Sequence, residues 1–343
     1  MFNSPPIFSA YRGRFAPSPT GPLHLGSLVT AVGSYLEAKS QCGEWLVRIE
    51  NLDRGREVPG ASKQILNTLT ALGMEWDGEV LYQSQREEAY KSAFALLEKW
   101  HLLYPCTCSR KEIADSSIIG IDGPVYPGTC RASSFLSECF GAWRVRTDSR
   151  LIEFTDALQS RIQQRLEADI GDFVLRRADG IFAYQLAAVV DDAAQGITHV
   201  VRGADLLNST PRQIYLQRLL GYSTPVYKHL PVVINADGRK LSKQTGATAV
   251  DISDPLPHLI TAMRFLGQMP SEELIEGDIA SFWKWAFENW KSEMIPRKKH
   301  EFVDMGYAQG RRERRKLQQS YNPSAEKPTV IAESNAMDAG LLK

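Results

Sequence analysis

The sequence contains no apolar run long enough to cross a membrane, which takes about 18 to 20 residues. The nearest candidate, residues 181–190, is short and includes Gln185. Residues 1–10 also lack a basic segment followed by an apolar core, the pattern of a secretion signal. We therefore expect a soluble, cytoplasmic protein that has no membrane partner.

Cysteine is scarce and the net charge is zero. Five cysteines are scattered over 343 residues, and in a cytoplasmic chain such cysteines fit metal ligands or free thiols better than a disulfide framework. Lys and Arg number 40, as do Asp and Glu. This balance argues against a globally basic nucleic-acid binder, although a total does not show where the charges lie.

The length and the apolar content exclude a disordered chain. Hydrophobic residues make up 43% of the 343 residues, which is enough for packed cores in about two domains. Strands are predicted at residues 13–16 and 45–50, and helices at residues 25–36 and 59–72. This alternation is typical of an α/β protein with a parallel sheet, whose first half we place at residues 11–103.

The α/β alternation is interrupted after residue 103. The next residues, to about 143, are rich in Cys, Gly, Pro, Ser and Asp, so we predict an inserted subdomain at residues 104–171. An Asp-Gly pair within residues 172–184 predicts a β-hairpin there. The alternation then resumes with a strand at 197–202, a helix at 211–220 and a strand at 229–235. The second half of the α/β domain is therefore predicted at residues 172–250.

The C-terminal part is helical and then basic. Apolar residues recur on one helical face from residue 251, which predicts a helical region at residues 251–293. Residues 297–316 contain eight basic and three acidic residues, a local charge of +5. This cluster could contact RNA phosphates, but we favour the interpretation that residues 294–343 are a solvated, disordered tail.

Residues 14–27, RFAPSPTGPLHLGS, have the pattern of a phosphate-binding loop. A predicted strand ends, a Pro/Gly loop turns, and a helix begins near His24, Gly26 and Ser27. The free N–H groups and the positive dipole at the start of a helix attract anions, and an imidazole can donate to phosphate. An isolated HxG triplet would usually only close a loop, but here it lies between strand and helix. The segment is neither a GxxxxGK[ST] loop nor a GxGxxG loop.

The string FAPSPTGPLHLG resembles the HIGH motif of the class I aminoacyl-tRNA synthetases, in the form found in the glutamyl group. The motif's fourth position is Ser27 here and not His, a change that resembles other glutamyl-type members. The resemblance covers about residues 12–290. It implies a Rossmann-like catalytic core that carries an inserted, zinc-bearing, acceptor-binding subdomain and a C-terminal helical region that contacts the tRNA stem.

A second motif of these synthetases is a lysine loop, KMSKS, which closes over ATP. Residues 240–244, KLSKQ, resemble it and follow the predicted last strand, although Gln244 replaces the final Ser. Two lysines can neutralise the charge that develops on the β- and γ-phosphates as pyrophosphate leaves. The catalytic candidates are Lys243, His24 and Lys240. The resemblance implies ATP with Mg²⁺, bound by His24, Gly26, Ser27, Lys240, Leu241, Ser242, Lys243 and Gln244.

A glutamate pocket needs cationic groups for two carboxylates and an anionic group for the ammonium. Arg14, Glu50, Tyr184 and Arg202 stand at or near predicted strand ends, where ligands bind in open α/β sheets, with Tyr184 closing the predicted hairpin. The resemblance implies that the whole glutamate-binding set is Arg14, Phe15, Ala16, Pro17, Ser18, Glu50, Tyr184 and Arg202. Asn51 departs from the Asp that usually follows the glutamate in this family.

The predicted insertion contains CxC at Cys106 and Cys108 and a third cysteine, Cys130. Three thiolates and a fourth donor would make a closed tetrahedral zinc site, which is structural. The residues alone leave His101 or Cys139 as the fourth donor, or leave the cysteines as ordinary thiols. The CxC…YxxxC pattern resembles the zinc site of glutamyl-queuosine synthetases, and this resemblance implies Tyr126 as the fourth ligand.

The length after the lysine loop decides the expected subfamily. Residues 244–343 leave no room for the anticodon-binding domain of a glutamyl-tRNA synthetase, so we expect that domain to be missing. The chain resembles the shortened glutamyl-queuosine tRNA(Asp) synthetases, also in REVPGA from Arg56 and STPRQIYLQRLLG from Ser209. This resemblance implies an enzyme that activates L-glutamate with ATP, without tRNA, and transfers it to the queuosine base at the wobble position of tRNA(Asp). We expect the protein to be a monomer.

Two alternatives remain at the level of sequence. The first is a truncated glutamyl-tRNA synthetase that charges a tRNA 3′ end. The second is a catalytically silent, zinc-bearing module that binds tRNA and has kept the fold. Glutamate-dependent ATP–pyrophosphate exchange distinguishes the three hypotheses, since only the queuosine enzyme is expected to show it in the absence of tRNA.

Overall fold

The computed structural model describes residues 10–132, 141–234 and 248–302. Its central layer is a set of parallel strands whose apolar side chains are buried, as expected where helices cover a sheet. Strands β1 and β2 pair in parallel, and β3 pairs with β2. These strands are β1 (Arg12–Phe15), β2 (Glu44–Ile49) and β3 (Leu81–Tyr82).

Two later strands extend this layer on the other side of β1. They are β11 (His199–Gly203) and β12 (Val226–Leu230), which pair in parallel. The backbone N–H of Thr198 donates to the carbonyl of Arg12, and β11 lies beside β1. The order along the layer is therefore β3, β2, β1, β11, β12. Because β11 and β12 lie in the same layer as β1, the prediction that the α/β alternation resumes late in the chain is confirmed.

The first helix, α1 (Leu25–Lys39), covers the middle of this layer. It begins directly after His24, whose side chain accepts a hydrogen bond from the N–H of Ser27. Leu28, Val32 and Leu36 recur at helical spacing and are fully buried. The predicted helix at residues 25–36 is confirmed, and its N-terminus faces the carboxyl ends of the strands, where β1 enters the loop that leads into the helix.

Four further helices cover the layer or pack beside it. Two of them match the helices predicted at residues 59–72 and 211–220, although the helix predicted from residue 59 begins two residues later, after a left-handed Gly60. The helices are α2 (Ala61–Ala71), α3 (Glu87–Lys99), α6 (Tyr184–Ala194) and α7 (Thr210–Leu220).

The hairpin that was predicted at residues 172–184 is only partly formed. β10 (Phe173–Arg176) is followed by a turn, with one backbone hydrogen bond from Arg177 to Ile181 and an isolated bridge at Phe182. Tyr184 does not close a hairpin, since it is the first residue of α6. The prediction that Tyr184 lies at a strand end was therefore wrong, because the alternating pattern stops where the buried helix LAAVV begins.

The inserted region forms a three-stranded antiparallel sheet and two hairpins. In the sheet, the middle strand pairs with an early and a late strand, in the order β10, β7, β4. β10 belongs to the segment assigned to the second core half, so the sheet crosses the boundary predicted at residues 171 and 172. The new elements are β4 (Leu103–Cys106), α4 (Arg110–Ser116), β5 (Ile119–Gly120), β6 (Gly123–Pro124), β7 (Ala142–Val145), β8 (Leu151–Asp156), β9 (Ser160–Arg165) and α5 (Leu166–Asp169).

The C-terminal part of the described chain is helical, as predicted, and then returns to the core. Its helices are α8 (Leu256–Phe265) and α9 (Ile279–Asn289), and both pack against α1. Within the described ranges, no helix is both long and apolar enough to span a bilayer.

The predicted tail starts too early. Ile295 is buried, and β14 (His300–Phe302) pairs in parallel with β13 (Val232–Ile234), so residues 294–302 belong to the fold. The basic residues of this segment concealed the strand in the sequence. The rest of the predicted tail, residues 303–343, lies outside the described residues.

Candidate active site and metal centre

A cavity of 560 Å³ lies at the carboxyl ends of β1, β2 and β11. The residues predicted to bind glutamate and those predicted in the first ATP motif come from four separate stretches of sequence, and all of them line this one cavity. They are Arg14, Phe15, Ala16, Pro17, Ser18, His24, Gly26, Ser27, Glu50, Tyr184 and Arg202. The parallel sheet brings them together because its carboxyl-terminal edge collects the loops that follow each strand.

One end of the cavity is the start of α1. The N–H of Ser27 donates to Nδ1 of His24 at 3.4 Å, and Ser27 Oγ lies 3.2 Å from His24 Nε2. The Ser at the motif's fourth position therefore orients the imidazole. The predicted lysine loop, residues 240–244, lies outside the described residues, so the roles of Lys240 and Lys243 stay predictions.

Arg14 is held by a buried carboxylate, Asp192, which was not among the predicted site residues. Its Nε lies 3.1 Å from Asp192 Oδ1 and its Nη2 3.5 Å from Asp192 Oδ2. The fully buried Arg48 also binds Asp192, at 2.7 Å, and its Nη2 lies 3.6 Å from Glu50 Oε1. Burial opposes ionisation of Asp192, but Arg14 and Arg48 outweigh it and lower the pKa of Asp192 to about 2.

The two guanidinium groups of Arg14 and Arg48 and the two carboxylates of Asp192 and Glu50 form one cluster in which positive and negative charges balance. Burial raises the pKa of Glu50, although the positive charge of Arg48 acts in the opposite direction. Asp192 lies on α6, in VVDD, where two acids in an otherwise buried apolar helix are the signal that could have revealed it. Its neighbour Asp191 is equally buried and accepts hydrogen bonds from Gln83, Arg86 and Tyr90. Arg48, in the middle of a buried strand, was a similar signal.

Arg202 is fixed on three sides of its guanidinium group. Its Nε donates to His229 Nε2 at 3.0 Å, its Nη1 to Tyr184 Oη at 3.2 Å and its Nη2 to Thr210 Oγ1 at 2.8 Å. Nδ1 of His229 lies 2.6 Å from Oδ2 of Asp156. The neutral imidazole of His229 therefore carries its proton on Nδ1. Its Nδ1–H donates a hydrogen bond to Asp156, and its Nε2 accepts a hydrogen bond from Arg202.

The imidazole of His229 is fully buried and stays neutral. Burial is the main cause that lowers its pKa, to about 4, and the charge of Arg202 acts in the same direction, while Asp156 acts against both. Asp156 belongs to the β8–β9 hairpin of the insertion. The insertion is thus in hydrogen-bond contact with a residue that positions one of the predicted glutamate ligands.

Asn51, which departs from the family's usual Asp, has a structural partner. Its side-chain amide donates to Ser84 Oγ and its Oδ1 accepts from the Ser84 N–H, both at 2.9 Å. A carboxylate could accept both bonds but could not donate one. Asn51 therefore joins the loop after β2 to the turn that follows β3.

The three predicted cysteine ligands lie together in the insertion. The Sγ atoms of Cys106, Cys108 and Cys130 are all within 4.8 Å of one another, and Cys108 Sγ lies 3.5 Å from Cys130 Sγ. Tyr126 Oη lies 3.3 Å from Cys106 Sγ and 4.0 Å from Cys108 Sγ. Thiolates bound to one tetrahedral zinc are about 3.8 Å apart, since the Zn–S bond is about 2.3 Å. The three cysteines are therefore positioned to bind a metal ion, and the phenol of Tyr126 lies beside them.

The other candidate donors do not join this cluster. His101 is exposed and ends the turn after α3 with a positive φ of 56°. Cys42 is an exposed free thiol, and Cys139 lies outside the described residues. Among the described donors, the phenol of Tyr126 is thus the fourth group at the three thiols. Its oxygen also accepts the N–H of Cys130 at 2.9 Å, which fixes its position.

A smaller cavity of 250 Å³ adjoins the first. The two share Ser18, Thr20, Glu50, Arg56 and Tyr184. Most of the remaining lining residues of the smaller cavity come from the loop after β2 and from the turn between β10 and α6, while Pro19 comes from the loop after β1 and Gln83 from the turn after β3. The remaining residues are Pro19, Asn51, Leu52, Asp53, Glu57, Gln83, Arg177, Ile181, Phe182 and Ala183.

Comparison with known proteins agrees with this geometry. The family model described as "tRNA synthetases class I (E and Q), catalytic domain" matches residues 10–268. The glutamyl-Q tRNA(Asp) synthetase of Dechloromonas aromatica is 60% identical over 291 residues, which are 84% of this chain and 97% of the relative. The chain belongs to the glutamyl-Q tRNA(Asp) synthetase family. A second relative with this name, from Chromobacterium violaceum, is 54% identical over 286 residues. The match covers 83% of this chain and 95% of that relative.

Solved structures show the fold of this glutamyl-Q tRNA(Asp) synthetase family member. A crystal structure of a glutamate tRNA ligase from Elizabethkingia meningosepticum, in complex with its amino acid, has a TM-score of 0.72. It is 23% identical, and the match covers 88% of this chain and 68% of that one. The catalytic fold is therefore that of the class I synthetases, as the two sequence motifs predicted.

Proposed function

We propose that this protein is a ligase that activates L-glutamate with ATP, without tRNA, and transfers it to the queuosine base at the wobble position of tRNA(Asp). One observation carries the proposal. A helix N-terminus suited to phosphate and a cluster of charges suited to glutamate line a single cavity. Relatives that are 54% and 60% identical carry the name of this activity.

In this proposal, the two arginines and Glu50 select the amino acid. Arg14 and Arg202 supply positive charge for the two carboxylates of glutamate, and Glu50 accepts its ammonium. Arg14 is anchored by Asp192, and Arg202 by His229, so both guanidinium groups are oriented before the substrate arrives. Preorganised groups lose less conformational entropy on binding, which favours a small charged ligand.

The activation step needs no general base, because the α-carboxylate is already an anion. A carboxylate oxygen attacks the α-phosphorus of ATP in line, a P–O bond forms, and the bond to pyrophosphate breaks with its electron pair on the leaving oxygen. The α1 N-terminus with His24, and Lys243 and Lys240 of the predicted loop, stabilise the negative charge of the transition state. Mg²⁺ bound to ATP would neutralise its phosphates.

The transfer step uses a hydroxyl of the acceptor nucleoside. Its oxygen attacks the carbonyl carbon of glutamyl-adenylate, an ester bond forms, and AMP leaves with the electrons of the anhydride bond while the hydroxyl proton passes to solvent. Cys106, Cys108, Tyr126 and Cys130 would hold a structural zinc ion that fixes the insertion, away from the cavity. The monomeric state, the cytoplasmic location and the absence of an anticodon-binding domain stay predictions.

The decisive experiment is glutamate-dependent ATP–pyrophosphate exchange by purified protein without tRNA, followed by transfer of labelled glutamate to tRNA(Asp) with and without queuosine. We expect exchange without tRNA and label only on the queuosine-containing RNA. Exchange that requires tRNA, with label on the 3′ end, would support a truncated glutamyl-tRNA synthetase instead. No exchange under either condition would support a silent RNA-binding module.

A further inference from the structure

The smaller cavity separates cleanly from the part of the site that faces ATP. His24, Gly26, Ser27 and the strand residues 231–233 line only the larger cavity. Asp53, Arg177 and Ile181 line only the smaller one. Glu50 and Tyr184, both assigned to glutamate, line both cavities, so the amino acid lies between the ATP end and the smaller cavity.

This arrangement matters for the second half-reaction. The acceptor hydroxyl must reach the carbonyl carbon of the adenylate while AMP still occupies the larger cavity. Space that opens onto the glutamate residues from the side away from the α1 N-terminus satisfies this condition, and the smaller cavity provides it. We infer that the smaller cavity is the acceptor site, which takes the modified nucleoside of an RNA loop. This inference rests on the proposed function.

The charges around the smaller cavity fit such a ligand. Asp53 Oδ2 lies 2.9 Å from Arg56 Nε and 3.1 Å from Arg177 Nη1. The carboxylate is 25% exposed, whereas the two guanidinium side chains are 76% and 45% exposed. The carboxylates of Asp53 and Glu57 suit the amine and the hydroxyls of the queuosine ring, and the exposed arginines suit the flanking phosphates.

The lining elements also suit a base from a loop. Asp53 connects the loop after β2 to the turn after β10, so the two walls of the cavity are joined at its rim. Ile181 and Phe182 form an apolar part of the wall, against which a base that leaves its stack can pack. Single-stranded loop bases are the ones that proteins can extract and recognise in this way.

Two variants test the assignment. Arg177→Ala removes a phosphate contact, and since exposed ion pairs contribute only about 0–1 kcal/mol to stability, the fold should persist. Ile181→Trp fills the cavity from its wall. We expect both to keep tRNA-independent exchange within about twofold of wild type, and to lower kcat/KM for transfer to queuosine-containing tRNA(Asp) by about tenfold or more.

Salt dependence and a matched control complete the test. For Arg177→Ala, the slope of log(kcat/KM) for transfer against log[salt] should fall by about 0.7 to 1, as expected for one lost phosphate contact. Arg161→Ala is the control, because Arg161 is also exposed and paired with a carboxylate, Glu153, but lines neither cavity. It should leave both half-reactions unchanged.

The outcomes separate this inference from the proposed function. Wild-type transfer rates in both variants, or equal losses of exchange and transfer, would overturn the acceptor assignment while the proposed function stands. Label on the 3′-terminal adenosine of wild-type reactions, identified by nuclease digestion and mass spectrometry, would instead overturn the proposed function.

Discussion

His229 Nε2 lies 3.0 Å from Arg202 Nε, and the neutral imidazole is the hydrogen-bond acceptor of this pair. The same ring donates from Nδ1 to Asp156 at 2.6 Å. A carboxylate in the inserted hairpin therefore sets the tautomer of a histidine in the core, and this tautomer sets the orientation of the arginine that is proposed to bind glutamate. His229 and Asp156 are thus positioning residues.

Replacing either positioning residue should weaken glutamate binding more than catalysis. Asp156→Ala removes the acceptor for His229, so the KM for glutamate should rise by about 10- to 100-fold, equivalent to one charged hydrogen bond, while the KM for ATP changes little. Asp156→Asn is the matched variant: its one amide oxygen can accept either from His229 Nδ1 or from the backbone N–H groups of Leu158, Gln159 and His229 that now bond to Oδ1, so its KM should rise less than that of Asp156→Ala. Pyrophosphate-exchange kinetics measure both constants. An equal effect of the two substitutions would contradict a positioning role.

The buried His229 should make the fold sensitive to acid. Its pKa falls from 6.5 in the unfolded chain to about 4 in the fold. As the pH falls, the unfolded chain therefore binds a proton at His229 at a higher pH than the folded protein does. Stability that is fully present above pH 6.5 is lost as the pH falls towards 4. The loss is on the order of 2 to 3 kcal/mol. Urea unfolding between pH 7.5 and 4.5 measures it, and His229→Gln should show a shallower dependence. An unchanged slope in that variant would assign the acid sensitivity to other groups.

Asp192 should matter for both stability and substrate affinity. Asp192→Asn removes the carboxylate that Arg14 and Arg48 share and leaves Glu50 as the only acid of their cluster, which should lower the free energy of unfolding by about 3 kcal/mol and raise the KM for glutamate. Asp191→Asn is the control, because Asp191 is also buried but binds Arg86, which lines neither cavity, whereas Asp192 binds Arg14, which lines the larger one. It should destabilise the protein and leave the KM unchanged. Unfolding titrations and exchange kinetics distinguish the two, and equal KM values for both variants would refute the role of Asp192.

The thiol cluster should contain one zinc ion per chain. Cys130→Ser removes one thiolate, so the purified variant should lose the metal and melt at a lower temperature. Cys42→Ser is the control, since Cys42 is an exposed free thiol, and it should retain the metal. Elemental analysis and thermal unfolding provide the two readouts. Wild-type protein without bound metal would remove the basis for the site.

The lysine loop should be needed for activation and not for folding. Lys243→Ala should lower the rate of pyrophosphate exchange by about 100-fold or more, because one charge that stabilises the leaving phosphates is lost. Its thermal unfolding should match that of wild type. Lys63→Ala, on the exposed face of α2, serves as the control for the removal of a surface lysine. Full exchange activity in Lys243→Ala would exclude this residue from the mechanism.

Local chemistry in the sequence was enough to predict the α/β class and the phosphate-binding loop, whereas the glutamate-binding residues and Tyr126 were implied by the resemblance to the synthetase family. The Pro/Gly loop before α1, with His24 in it, is encoded within fourteen consecutive residues, so its position could be predicted without a partner. The buried strands and α1 follow from apolar periodicity in the same way. The cysteine triad was also predicted, because cysteine is so scarce that three in one short segment indicate a shared site.

Other features depend on residues that are far apart in the chain, and only the tertiary structure decided them. Tyr184 begins a helix because the apolar run after it packs into the core, and β14 forms because β13 offers it an unpaired edge. No local sequence pattern predicts that Asp192 binds Arg14 or that His229 binds Arg202. The sequence by itself determined which chemical groups reach the site. The packing of distant segments decided how those groups are oriented, because a buried charge is stable only where the fold brings it a partner.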